Sequence, residues 1–345
     1  MLWRSPFVIR RLLQRESGVV KRNIAVHIPW LLVTGSVLLY AWRLRRKQVS
    51  CHASVQTKAE ARSDGRKENE GKRRFLQKVV VITGAAGDIG NATASAFARE
   101  GASIVLVDLP QTLPQLKDQR KELQASGAYK TVVLCADMTR EDEVQSMVAK
   151  TVERLGPINC FFNNAGIQGE LAPIHHQNSK LAQSVIQVNV IGAFFGLKHV
   201  SGAMAESGGG VIVNTASLAG LLGPRYMAAY AASKHAVIGM TKSAAKDLAP
   251  HGVRVCAVAP GILEGRMWLT QVEGRARCAL LAKTGEDRKP TESELRAMEE
   301  VMVAGTPLGR LGRLSEVAQA VLFLCSEDAS YLTGTVLTVD GGRLP

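Results

Sequence analysis

Tyr230 and Lys234 stand four residues apart in "YAASK", a spacing that puts both on one face of a helix. A phenol's ordinary pKa near ~10 is too high for an efficient base, and a neighbouring ammonium lowers it by favouring the phenolate. Such a pair suits proton transfer to or from an oxygen whose charge changes, as when hydride adds to a ketone or leaves an alcohol. Ser217, in "NTASLAG" thirteen residues before Tyr230, offers a hydroxyl that can bond the same oxygen and stabilise its developing charge. Tyr226 is no second copy of the pair, because no lysine stands four residues after it.

A second cluster suits a nucleotide. "VITGAAGDIG" (81–90) reads as a strand, a glycine turn with Gly84, Gly87 and Gly90, and the start of a helix. Glycines allow a tight turn and close backbone approach, and a helix N-terminus offers donors and partial positive charge to phosphate. Asp108 ends the next apolar run, 24 residues after Gly84, where a carboxylate can accept from ribose hydroxyls. Asp88 is the oddity, an anion inside a turn suited to anions.

These residues need elements to position them. Seven apolar, β-branched runs read as buried strands: 78–83, 102–108, 130–137, 158–162, 210–216, 253–259 and 335–340. With helical patterns between them, they predict an α/β fold, a Rossmann-type, doubly wound, parallel seven-stranded sheet with helices on both faces. Ligands of such sheets bind beyond the carboxyl ends of the strands, where the motifs above fall. Between Pro260 and Pro307 lie 46 residues, long for a connection. Apolar patches at 267–269, 278–282 and 295–303 predict two short amphipathic helices, a substrate lid over 262–306 that excludes water from an uncharged substrate.

From Phe75 onward the chain resembles the short-chain dehydrogenase/reductase family, over about residues 76–344. The family's compact branch usually carries Thr-Gly-x-x-x-Gly-x-Gly, so Asp88 stands where glycine is usual. The spacing Gly84-x-x-Gly87-x-x-Gly90 looks like the extended branch, with the Asp88 side chain pointing away from the diphosphate or capping its own helix. The resemblance implies catalysis by Asn189, Ser217, Tyr230 and Lys234, with Asn189 holding a water in the proton relay. It implies a cofactor cradle of Gly84, Gly87, Ile89, Gly90, Asp108, Asp137, Met138, Asn164, Ala165, Gly166, Tyr230, Lys234, Pro260, Gly261 and Leu263. Gly265 departs from the pattern by standing where threonine is usual. The expected function is hydride transfer between NAD and a secondary alcohol or ketone, with Asp108 selecting NAD. Two alternatives stand beside it: an NADPH-dependent 3-oxoacyl-[acyl-carrier-protein] reductase, and a non-catalytic NAD-binding regulatory or scaffold protein. Family members usually associate through the Tyr230 helix and the one before it, so a homodimer or homotetramer is expected.

The N-terminal part has a different character. Residues 1–74 hold 17 Lys/Arg and 5 Asp/Glu, a net +12 of the chain's +13, whereas the other 271 residues are nearly balanced. The globular part therefore offers no charge footprint for nucleic acid. Arginines spaced among apolar residues at the start suit a transit peptide, for a mitochondrion or plastid. Residues 24–42 carry no formal charge and as a helix would measure ~28 Å against a hydrocarbon core of ~30 Å. We read 1–49 as a targeting segment and membrane anchor at an organelle membrane, mitochondrial by preference, with a cleaved targeting segment as the alternative. Residues 50–74 read as a flexible charged tether, and 75–345 as the catalytic domain. The six cysteines form no close pair, and Cys135 and Cys256 read as buried free thiols. Adjacent His175 and His176 point apart, so no metal site is expected.

Overall fold

Val79–Thr83 (β1) is an unbroken run of Val, Ile and Thr, all of it buried, which is what a strand covered on both faces requires. The computed structural model describes residues 73–344. The expected anchor, its apolar stretch 24–42, Cys51 and all but the last two residues of the tether lie outside them.

The other strands are Ser103–Asp108 (β2), Lys130–Cys135 (β3), Cys160–Asn163 (β4), Gly210–Thr215 (β5), Val253–Pro260 (β6) and Val336–Val339 (β7). The helices are Asp88–Arg99 (α1), Leu113–Ala125 (α2), Glu141–Leu155 (α3), Ser179–Ile186 (α4), Ala193–Glu206 (α5), Ala228–Leu248 (α6), Arg266–Thr284 (α7), Glu292–Ala304 (α8) and Leu314–Cys325 (α9). All the strand pairs are parallel, in the order β3-β2-β1-β4-β5-β6-β7. The chain winds outward from β1 to β3, then returns past β1 to β4 and onward. The crevice at that reversal opens beyond the carboxyl ends of β1 and β4.

Side-chain alternation divides the core between the faces. Val80, Ile82, Ile104 and Leu106 meet Phe97 of α1, Leu116 of α2 and Val317 of α9. Val81, Val105 and Val107 meet Val144 of α3, Leu197 of α5 and Ala245 of α6 on the other. Cys256 is buried as expected, but Cys135 is exposed. It ends β3, an edge strand that no further strand covers among the described residues.

Three local features aim the site. On α6 the buried stripe Tyr230, Lys234, Val237, Thr241 and Ala245 follows helical spacing, so Tyr230 and Lys234 share its inward face. Gly220 ends a short 3-10 turn after Ser217, and a Cβ there would lie 2.7 Å from the Lys234 carbonyl oxygen. Glycine thus lets the Ser217 loop lie directly on α6. Between α4 and α5, Gln187–Gly192 is a π segment that buries Asn189. Segment 262–306 holds two helices, as the sequence predicts, but α7 is not short, its 19 residues taking in both 267–269 and 278–282.

Candidate active site

The turn after β1 closes through Gly87 N–H donating to the Gly84 carbonyl at 3.0 Å. Gly84 has φ +63, and a Cβ there would lie 2.9 Å from Cα of Ala165, filling the cradle. The N-terminus of α1, at Gly87, has no side-chain cap. Asp108 is held by the backbone: its Oδ2 accepts from Ala86 N–H at 2.9 Å and its Oδ1 from Leu109 N–H at 2.8 Å. Thr83 Oγ accepts from the N–H groups of Asn164 and Ala165 at 2.9 and 3.1 Å, joining β1 to the "NNAG" loop. The Asn164 amide is spent on the same joint, donating to the carbonyl of Thr83 at 3.0 Å and accepting from Thr215 Oγ at 3.1 Å.

Ser217 follows β5 and its Oγ accepts from Ala219 N–H at 3.1 Å. Tyr230 is buried beside it, near enough for Ser217 to act on the phenol. Lys234 Nζ donates to the Thr215 carbonyl at 2.8 Å and lies 5.7 Å from the centre of the Tyr230 ring. Burial raises the Tyr230 phenol above its ordinary value. Burial also draws Lys234 down to about 8. The phenol thus shifts upward in the protein alone, and Ser217 rather than the Lys234 ammonium opposes the rise.

Ser217, Tyr230 and Lys234 open on a cavity of about 600 Å³ that runs past "NNAG" and the glycine turn to Asp108 and Asp137. Against known proteins, residues 78–276 match the family described as short chain dehydrogenase, and residues 276–343 match that described as Enoyl-(Acyl carrier protein) reductase. The chain belongs to the short-chain dehydrogenase/reductase family. It is 37% identical over 271 residues to levodione reductase of Leifsonia aquatica, covering 78% of this chain and 95% of that protein. Cyclohexanol dehydrogenase of Acinetobacter sp. (strain SE19) is 35% identical over 268 residues, with 78% and 95% covered. The crystal structure of an NAD+-bound xylitol dehydrogenase superposes with a TM-score of 0.72 at 37% identity, covering 78% of this chain and all of that one.

Of the seventeen distinct residues anticipated for this short-chain dehydrogenase/reductase, fifteen line one cavity, the exceptions being Gly90 and Asn189. Gly90 lies behind the turn, where a Cβ would stand 2.2 Å from the Gly84 carbonyl oxygen, so its smallness lets α1 seat on the turn. Asn189 is also outside the lining. Its Oδ1 accepts from Ile167 N–H at 2.8 Å, and its Nδ2 donates to the Ile167 carbonyl at 2.8 Å and Ser233 Oγ at 3.0 Å. Its side chain thus ties the loop after β4 to α6, with both amide N–H groups engaged. Asp88 caps nothing on its own helix and instead bonds Arg266.

Sequence reasoning missed Gln168, Gln115, Arg266 and Trp268, all of which line the cavity. Gln168 is 8% exposed, and neither atom of its amide has a partner within the protein. Its place two residues after "NNAG" was a signal available beforehand. Gln115 donates to the Ala86 carbonyl at 2.9 Å, bracing the turn from α2. The glycine cradle, the uncapped helix, the ordered Asp108 carboxylate and the cavity volume together fit a dinucleotide.

Proposed function

We infer that this chain is an NAD-dependent oxidoreductase that interconverts a secondary alcohol and its ketone. The observation that carries the reading is that Ser217, Tyr230 and Lys234 line one end of a cavity whose other end holds Asp108. When bound, NAD supplies the hydride acceptor for oxidation and NADH the donor for reduction. The protein's own task is the proton. Ser217 orients the reacting oxygen, and Tyr230, kept neutral by burial, donates to that oxygen as it gains charge in reduction. In oxidation the Tyr230 phenolate takes the alcohol's proton and becomes neutral phenol. The Lys234 ammonium stabilises that phenolate, which stands before the step in oxidation and is left after donation in reduction. At pH 7 a lysine of pKa about 8 is still charged in roughly ten molecules for each neutral one.

Gln168 supports a substrate bearing an oxygen besides the reacting one, since its unpartnered amide offers one donor and one acceptor group at the cavity wall. Asp108 opposes the 3-oxoacyl-[acyl-carrier-protein] reductase alternative, because its carboxylate would face the 2′-phosphate of NADPH. The catalytic set opposes a non-catalytic role.

The test is turnover by the full chain with NAD(H) and a panel of cyclic and acyclic alcohols and ketones, with and without a second oxygen. Tyr230→Phe is expected to cut turnover by about 10²–10⁴-fold while leaving NAD binding nearly unchanged. Near-parental turnover in that variant would remove Tyr230 from the mechanism.

Two further proposals concern assembly and address. The helical run Ser179–Glu206 contains an apolar window of which only 28% is buried. Leu181 and Phe194 on it are each 47% exposed, which supports a homodimer or homotetramer formed across this run and α6. The basic start and the uncharged stretch 24–42 support targeting to an organelle membrane, mitochondrial by preference, with an anchor there.

A further inference from the structure

The two places where the chain departs from the family's pattern, Asp88 and Gly265, touch each other. Asp88 opens α1 beside the diphosphate turn, and Gly265 immediately precedes the lid helix α7. Asp88 Oδ2 accepts from the backbone N–H of Arg266 at 2.7 Å, and its Oδ1 accepts from Arg266 Nε at 2.8 Å. Arg266 Nη2 also donates to the Ala86 carbonyl at 3.0 Å. Three bonds therefore join the turn to the lid across some 180 positions of sequence.

The geometry explains both departures at once. Arg266 is the first residue of α7, and its N–H is one of the donors a helix leaves unpaired at its start. Gly265 has no side chain to satisfy it, and Asp88 does so from another element. A carboxylate at that end also faces the positive end of the helix dipole. Its presence consumes space. A Cβ on residue 265 would lie 2.5 Å from Asp88 Oδ2, closer than real Cβ contacts come. The φ of +126 at Gly265 further disfavours any side chain. A glycine at 88 would leave this room free and the N–H of Arg266 without its partner.

We propose that Asp88 is a positioning residue that caps and holds the lid helix over the cavity, and that Gly265 is the glycine its carboxylate demands. Asp88 thereby leaves the N-terminus of its own helix uncapped, open for an anion. The pairing also occupies Arg266, one of the two cationic side chains lining the cavity among the described residues. The lid assignment stands on the protein's own contacts, and only the binding arm below rests on the NAD reading.

The test is hydrogen–deuterium exchange on the full chain without cofactor. Asp88→Ala is expected to speed exchange across 265–272 by at least tenfold, with 210–215 in the sheet unaffected. Asp88→Asn keeps an acceptor and loses the charge, and is expected to fall between. Unchanged exchange at 265–272 in Asp88→Ala would overturn the tie. A second arm measures NAD binding by calorimetry in a four-member cycle. Gly265→Ala is expected to weaken binding at least tenfold in the parent and at least threefold less in an Asp88→Gly background. Equal losses in the two backgrounds would overturn the link between the departures. A parent chain that binds no NAD would instead refute the cofactor reading, and the exchange arm would still decide the tie.

Discussion

Lys234 is under two opposing demands: its ammonium must stay charged beside Tyr230, yet it is buried and its pKa falls to about 8. The sign of the consequence follows from which form works. Reduction needs Lys234 charged and Tyr230 protonated, and Tyr230, raised by burial, keeps its proton through the same range. For ketone reduction, kcat/KM should be level at neutral pH and fall about tenfold per pH unit above roughly 8, reporting the free enzyme. A profile with no break between pH 7 and 9 would contradict this account of Lys234. At the other end of the cavity, Asp108 would face the 2′-phosphate of a bound NADP. The cations among the described lining residues are Lys234, bonded to Thr215, and Arg266, bonded to Asp88. With about 1.4 kcal/mol for each tenfold preference, a few kcal/mol of repulsion favours NAD over NADP by at least roughly a hundredfold in kcat/KM. Comparing both cofactors in Asp108→Ala should show that ratio shrinking sharply.

Elements meet at this site through single polar side chains. Asn189 on the π segment joins the loop after β4 to α6 through Ile167 and Ser233, and Ser233 Oγ in turn donates to the Tyr230 carbonyl at 2.7 Å. Truncating Asn189 to alanine strips partners from polar groups in a nearly dry region, at a cost of roughly 1–3 kcal/mol. Denaturant unfolding should show that loss. Turnover should fall while the pH profile keeps its position, because the ionising groups are untouched. A profile displaced by a full unit would instead give Asn189 a direct part in proton transfer. The same logic holds at the start of α7, which follows a glycine and has its first N–H bonded by Asp88 of α1.

For the whole molecule, charge and activity are divided along the chain. Nearly all the net positive charge lies in residues 1–74, while the cavity belongs to the part beginning at Arg73. The full chain, expressed in cells and extracted from membranes with alkaline carbonate, should stay in the pellet. Its release to the supernatant would remove the anchor and leave targeting untouched.

The parallel sheet, its seven strands and the Ser217–Tyr230–Lys234 set were legible in the sequence because their signals are local. A buried strand announces itself by its own run of Val and Ile, and a helix face by a spacing of four. The depression of Lys234, the exposure of Cys135 and the isolation of the Gln168 amide were not legible, because burial is a sum over neighbours that arrive from distant segments. Asp88 is the clearest case. Its side chain could be assigned to a cap or to solvent from "GDIG" alone, and the choice fell to Arg266, 178 residues away. Only the folded chain brings that N–H within 2.7 Å, and no local pattern records a partner so remote.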